Sequence, residues 1–227
     1  MIGIHDLTLF VISGLMLNMM PGPDSLLIMT RSATQGWRAG FAATWGIGAG
    51  TMVHVLAAAV GLSAILATSA TAFMVVKYIG AAYILYMAYG LLRSKLQAPA
   101  SDVARAHDVT QDLTHDLAHD IAHDINYRRI FAQGFLTNVL NPKVALFFLA
   151  FVPQFIDAAA PSKALAFIVL GLIFNVNGML WCHALALFTA KASARIKLNP
   201  TVSLWLNRAT GGLFVWLGVK LALAKPT

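Results

Sequence analysis

The sequence predicts an all-α integral membrane protein: six transmembrane helices arranged as two inverted three-helix repeats, with helices 1 and 4 interrupted. Three observations predict it. Of 227 residues, 59% are hydrophobic and only 11% charged, with a mean hydropathy of +0.72, whereas a soluble domain carries roughly 25% charged residues. Six apolar stretches, near 7–30, 39–67, 72–92, 130–154, 164–190 and 202–224, reach the about 20 residues that a helix needs to cross a bilayer. The first and fourth stretches are broken at matching points by proline, glycine and asparagine.

The first span opens after Met1–Asp6, which holds no Lys or Arg and leads to no small-x-small cleavage site, so no cleaved signal peptide is expected. Its break reads Asn18-Met19-Met20-Pro21-Gly22-Pro23-Asp24. Pro21 and Pro23 have no N–H, so the carbonyls of Leu17 and Met19 lose their helical partners. In hydrocarbon, freed carbonyls must be met by protein, water or a bound solute. Asp24 follows, and a carboxylate at a helix centre costs about 2.5–3.5 kcal/mol on insertion scales. A plain alternative is a loop at the membrane edge, with Asp24 capping the next turn. About 14 largely apolar residues precede Pro21 and place the break deeper than that.

On the second span, Gly46, Gly50 and His54 lie at i, i+4 and i+8 and share a face. The glycines let a neighbouring helix approach, which turns His54 into the bundle. There it is either a proton shuttle or a hydrogen-bonded packing residue. In the third span, Tyr83, Tyr86 and Tyr89 read as an interfacial aromatic belt rather than as pocket lining. Lys77-Tyr78-Ile79-Gly80 of this span lines up with Arg208-Ala209-Thr210-Gly211 of the sixth. Arg38 with Gly46 likewise echoes Lys163 with Gly171, and Pro21 echoes Pro142. An odd number of spans per repeat inverts the second copy, a plan common among secondary transporters.

The expected organisation is one membrane domain over 1–227: repeat 1 about 1–93, a linker about 94–128, and repeat 2 about 129–227. In the linker, Asp108, Asp112, Asp116, Asp120 and Asp124 recur every four residues, with His115, His119 and His123 before the last three. Those histidines have metal-ligand spacing, but no cysteine or fourth ligand accompanies them. Repeat expansion in a tolerant segment is the preferred reading, as a cytoplasmic amphipathic helix or a low-complexity linker.

The fourth span breaks at Asn138-Val139-Leu140-Asn141-Pro142-Lys143. Lys143 lies too far inside an apolar run to snorkel fully to an interface, so a pairing with Asp24 or with a substrate carboxylate is expected. Paired interruptions in two halves point to a transporter's binding site. In the fifth span, Asn175 and Asn177 offer neutral donors and acceptors near the midplane, or serve as interhelical glue. Cys182 is the only cysteine and reads as a packing residue; His183 lies nearer the cytoplasmic end.

The net charge of +7 is not a nucleic-acid signature, because the basic residues sit at the ends of apolar runs. Arg31, Arg38, Arg93, Lys95, Arg105, Arg128, Arg129, Lys191, Arg195 and Lys197 fall on one side, against Lys163 and Lys225 on the other. By the positive-inside rule the linker is cytoplasmic and both termini are periplasmic. No activated-nucleophile motif, phosphate loop or glutamate is present, so neither an enzyme nor a cofactor is expected.

Taken together, Pro21-Gly22-Pro23, Arg31…Gly36…Arg38…Gly40 with Gly46 and Gly50, Lys77-Tyr78-Ile79-Gly80-Ala81-Ala82-Tyr83, and Asn138…Asn141-Pro142-Lys143-Val144-Ala145-Leu146-Phe147-Phe148 resemble the LysE/RhtB-type amino-acid exporter family of bacteria. The resemblance covers nearly the whole chain apart from about 97–127. It implies a six-span inner-membrane carrier that exports amino acids or their derivatives (homoserine-, threonine- or lysine-like), driven by the proton gradient. The candidate substrate site comprises Asn18, Pro21, Gly22, Pro23, Asp24, Asn138, Asn141, Pro142, Lys143, Asn175 and Asn177. The substrate ammonium would suit Asp24 and the carbonyls of Leu17 and Met19; the carboxylate would suit Lys143, Asn141 and the N–H groups after Pro142. Asp24 and His54 are the proton-coupling candidates. The expected partners are a small amino-acid substrate and the lipid bilayer, with a homo-oligomer left open. A divalent-metal exporter and a non-transporting membrane scaffold are the rival readings.

Overall fold

The computed structural model describes residues 3–64, 70–93, 125–157 and 159–191, with positions 208, 212, 215, 216 and 219 near the C-terminus. Every element among the described residues is helical, apart from one isolated antiparallel bridge between Ile4 and Ile156. Helix α1, Leu7–Met19, stops where the prolines begin. Met20, ahead of Pro21, has the extended φ −65°, ψ 126° that a following proline enforces. Pro23 opens α2, Pro23–Gln35, at the position where its missing N–H costs nothing. Gly36 (φ 83°) alone separates α2 from α3, Trp37–Ala57, in a backbone conformation that favours glycine.

Helix α3 runs on into a π-helical turn, Ala58–Leu62, and α4 follows at Ala70–Arg93. Helix α5, Tyr127–Val139, is capped by Asn126 Oδ1, which accepts from the Arg129 N–H at 3.1 Å. Helix α6, Pro142–Leu146, continues through a π-helical turn, Phe147–Phe151, and a tighter turn, Val152–Phe155. The long α7 spans Lys163–Lys191.

Two of these stretches are long and apolar enough to cross a membrane: Trp37–Leu62, with mean hydropathy 1.5, and Lys163–Lys191, with 2.0. A third is the pair Tyr127–Val139 and Pro142–Phe155, bent by 46° at its break. These match the second, fifth and interrupted fourth spans expected from sequence, and α4 coincides with the third. Helix α1, at 13 residues, gives about 20 Å of length, short of a bilayer core of about 30 Å. The expected sixth span, the linker to residue 124 with His115, His119 and His123, and Tyr83's side chain lie outside the described residues. Tyr86 and Tyr89 are exposed, as belt residues are.

One of the basic residues counted for topology is not at a helix end: α2 continues to Gln35, and Arg31 within it is fully buried. It donates to Gln35 Oε1 at 3.2 Å and to Gln133 Oε1 of α5 at 2.6 Å. A buried guanidinium held by neutral acceptors is a helix-to-helix tie as much as a sidedness signal.

Glycine fixes the closest packing. A Cβ on Gly46 would overlap the Phe131 carbonyl of α5, and one on Gly134 would overlap the Ala43 carbonyl of α3. At Gly50 it would stand 2.8 Å from the Phe135 oxygen. Helices α3 and α5 thus touch backbone to backbone, as small residues permit. Beside this seam, Phe10, Phe147, Phe148, Phe151, Phe155 and Phe174 belong to a buried core among α1, α6 and α7.

Candidate functional site

The two broken spans meet, and each half-helix that restarts after a break reaches for the other break's end. Pro23 and Pro142 each open a half-helix, with Asp24 and Lys143 directly behind them. Pro23, rather than Pro21, shares with Pro142 the first position of a helix. Asp24 Oδ2 accepts hydrogen bonds from Asn138 Nδ2 at 2.9 Å and from Asn141 Nδ2 at 3.1 Å. Lys143 Nζ donates to the carbonyls of Leu17 at 3.2 Å and Met20 at 3.3 Å.

Helix electrostatics favours this crossing. Asp24 in the first turn of α2 complements the positive end of that helix. Lys143 stands at the wrong end of α6 for a cation, and it places its ammonium on the negative C-terminal end of α1 instead. Two carbonyls at the end of α1, Leu17 and Met20, are thereby satisfied from within the protein. Of the Leu17 and Met19 carbonyls expected to be freed, Leu17 is among them, and it also accepts from the Met20 N–H at 3.3 Å. Gly22 lies directly beside the ammonium: a Cβ there would stand in ordinary contact, 3.4 Å from Lys143 Nζ.

Asn138 and Asn141 each make more than one contact. Asn141 caps α6, its Oδ1 accepting from the Lys143 N–H at 3.1 Å while its Nδ2 serves Asp24. Asn138 accepts from Thr51 Oγ1 at 3.2 Å through Oδ1, and its backbone oxygen lies 3.0 Å from His54 Nε2. The latter contact makes His54 the donor, because a carbonyl can only accept. His54 is therefore turned into the bundle, as the glycine stripe required, and stacks 6.4 Å from Phe148.

Asp24 and Lys143 line one small cavity with Asn18, Thr51, Asn138 and Asn175. It measures about 30 Å³, room for about two water molecules. The two charges share it without an ion pair within 4 Å; among the described residues, side chains of opposite sign come within 4 Å where His5 meets Asp6 and Asp157. Two buried polar atoms on these walls have no hydrogen-bond partner in the protein: Asp24 Oδ1, an acceptor, and Asn18 Nδ2, a donor. Native proteins leave few such groups, and here one of each kind belongs to residues that line the same cavity.

Of the residues proposed from sequence, Asn18, Asp24, Asn138, Lys143 and Asn175 line the cavity. Asn175 Nδ2 donates to the Gly48 carbonyl at 3.3 Å, tying α7 to α3. Asn141 stands behind Asp24, and Pro21, Gly22, Pro23 and Pro142 shape the breaks rather than the walls. Asn177 is not brought in: two residues beyond Asn175, it points about 200° around the helix. Sequence reasoning missed Thr51, Phe174, Gly178, Met179 and a wall position for Cys182. The signal was present, because Asn175, Gly178, Met179 and Cys182 are spaced i, i+3, i+4 and i+7, one helical face. His183 lies off that face, against Phe41 and Trp45.

Among the described residues no group of three or more His, Cys, Asp or Glu side chains is placed to hold a metal ion.

Comparison with known proteins supplies the family. The LysE type translocator family matches residues 15–225. An uncharacterized membrane protein of Pseudomonas aeruginosa is 30% identical over 98% of this chain and 97% of its own length. The uncharacterized membrane protein YrhP of Bacillus subtilis is 28% identical over 97% of this chain and all of its own. The leucine efflux protein of Salmonella typhimurium is 25% identical over 97% and 96%. No solved structure gives a significant match. With its apolar helices and a match spanning both broken segments, the chain belongs to the LysE type translocator family: it is a membrane transport protein, not an enzyme.

Proposed function

We propose that this translocator exports an amino acid or amino-acid derivative across the bacterial inner membrane, coupled to protons, from a site between the two helix breaks. The observation that carries the reading is the unpartnered pair on the cavity walls. Asp24 Oδ1 lacks a donor and Asn18 Nδ2 lacks an acceptor, and Lys143 adds a cation beside them. An α-amino acid supplies both complements one carbon apart. Its ammonium would meet Asp24 Oδ1; its carboxylate would meet Asn18 Nδ2 and Lys143 Nζ. The leucine efflux protein among the relatives supports amino-acid cargo.

The cavity holds only about two water molecules, so the arrangement described is closed around its site, and loading requires the walls to part. Lys143 then exchanges the Leu17 and Met20 carbonyls for the substrate carboxylate. His54 reaches Asp24 through Asn138, which makes these two the proton-handling candidates. The crossed clamp also favours the inverted-repeat plan of six spans, with both termini periplasmic and residues 94–128 cytoplasmic. In it, equivalent positions of the two breaks perform reciprocal tasks.

Purified protein in liposomes, loaded in turn with a panel of amino acids and with divalent cations, tests the reading. Counterflow of at least one amino acid, with acceleration by an imposed pH gradient, is the expected result. Movement of divalent cations without amino acids would replace it by metal export. Movement of neither would leave the membrane-scaffold reading.

A further inference from the structure

We infer that the exported amino acid carries an uncharged, apolar side chain, and that Met179, seated on Gly48, sets the size it can have. The inference rests on the amino-acid reading above and goes on to what lies beyond the α-carbon. Among the described residues that line the cavity, Asp24 is the only acid and Lys143 the only base; both are committed to the ammonium and carboxylate that every amino acid shares. A charged side chain would enter with no counter-charge left. Burying an unpaired charge is among the most costly events in a protein interior, so lysine-like and glutamate-like cargo are disfavoured by the same walls.

Most polar groups nearby already have partners. The single Thr51 hydroxyl proton is shared between the Ile47 carbonyl and Asn138 Oδ1, and Asn175 Nδ2 donates to the Gly48 carbonyl. Ser25 adds one hydroxyl to the wall, and the remaining side chains are apolar: Leu17, Ile47, Val144, Phe174, Met179 and Cys182. They come from α1, α3, α6 and α7, so the apolar surface surrounds the charged end instead of lying to one side.

Met179 is the adjustable member. Its Sδ lies only 2.5 Å from where a Cβ on Gly48 would stand, with Cε at 3.3 Å. The thioether therefore rests on bare backbone, in a space that exists because residue 48 has no side chain. Methionine is unbranched and flexible and conforms to irregular gaps. Removing its Cγ, Sδ and Cε would deepen the pocket. Adding a methyl at Gly48 would push the same atoms into it. Two substitutions on different helices thus predict opposite shifts through one contact.

The experiment uses the full-length protein in liposomes and measures competition against labelled leucine by unlabelled leucine, phenylalanine, alanine, homoserine, lysine and glutamate. For the wild type, leucine should compete better than homoserine, and lysine and glutamate should compete at least about a hundredfold more weakly, the scale seen when a site's polar and apolar parts are mismatched. Met179→Ala should raise the phenylalanine-to-leucine ratio roughly 10- to 200-fold, the range for a pocket changed by a methylene or more. Gly48→Ala should move the ratio the other way, towards alanine, and Met179→Leu should leave the ranking near wild type. Lysine or glutamate competing as well as leucine, or homoserine ahead of it, would overturn the inference while leaving amino-acid export standing. Absence of any amino-acid competition would instead remove the functional reading beneath it. Should either variant fail to fold, the wild-type ranking by charge still decides the substrate class. Unchanged ratios in two folded variants would release Met179 from the role.

Discussion

Asp24→Asn keeps the shape of the side chain and changes the sign of what it offers. The mutant amide has one oxygen, and that oxygen must face Asn138 and Asn141, whose Nδ2 groups donate at 2.9 and 3.1 Å. The new NH2 then takes the place of Oδ1, so a donor faces the space where an ammonium is expected. Loss of one charge-assisted hydrogen bond removes roughly 1.5–3 kcal/mol, so substrate binding should weaken about ten- to over a hundredfold. The protein itself should lose a comparable amount, about 2 kcal/mol. Its two bonds from Asn138 and Asn141 persist as neutral ones, a change of about 1 kcal/mol each. Counterflow and gradient-driven export in liposomes, with protein level and melting temperature alongside, separate the effects. A binding residue damages both modes of transport; a residue that only carries the coupled proton spares counterflow. Lys143→Met should resemble the binding case, and it additionally removes the ammonium donor from the Met20 carbonyl and one of two donors from the Leu17 carbonyl. If the two charges merely balance each other, Asp24→Asn with Lys143→Met should recover what each single change lost. Normal export by Asp24→Asn would refute the site.

The orientation predicts that reporters fused at Thr227 are active in the periplasm and those within the linker in the cytoplasm; a cytoplasmic Thr227 would remove the orientation and the inverted repeat with it. Deleting about 101–124 should leave basal export intact, and added Zn or Ni should change export in the undeleted protein if His115, His119 and His123 form a metal switch. Loss of folding on deletion would show the segment to be structural. Gly134→Ala, which drives a methyl onto the Ala43 carbonyl, should cost about 1–3 kcal/mol as overpacking, read as a lower melting temperature in detergent. An unchanged melting temperature would mean that the α3–α5 seam yields readily.

What could be read in advance was local. Proline's missing N–H acts on its own turn, so the ends of α1 and the starts of α2 and α6 followed from residues adjacent in sequence. The Gly46, Gly50 and His54 stripe also carried its meaning in its spacing. What could not be read was reach. Lys143 satisfies carbonyls more than a hundred residues earlier, a fact of helix crossing that no neighbouring residue announces. Arg31 failed for the same reason: in sequence it is one more basic residue near a turn, and only Gln133 opposite makes it a buried tie. Asn177 failed differently. Asparagines were gathered by type near a midplane, when the helical period already separated Asn177 from Asn175 and pointed to Met179 and Cys182.

Backbone resting on backbone leaves nothing to rotate out of the way. Along Gly46, Gly50 and Gly134 the α3–α5 contact has no rotamers with which to absorb a displacement, so the two helices are expected to swing as one lever. A lever needs pivots, and α3 has one at each end. Gly36, at φ 83°, joins it to α2 through a single residue. At the far end the hydrogen-bond ladder slips into the π-helical register over Ala58–Leu62, a form common where helices adjust for function. Helix α6 carries a second such slip at Phe147–Phe151. Parting the cavity walls by tilt about these points leaves the seam intact and concentrates the motion in a few amides. Hydrogen exchange that quickens with cargo around Gly36 and the two π-helical turns, while the seam stays protected, is the signature of that movement.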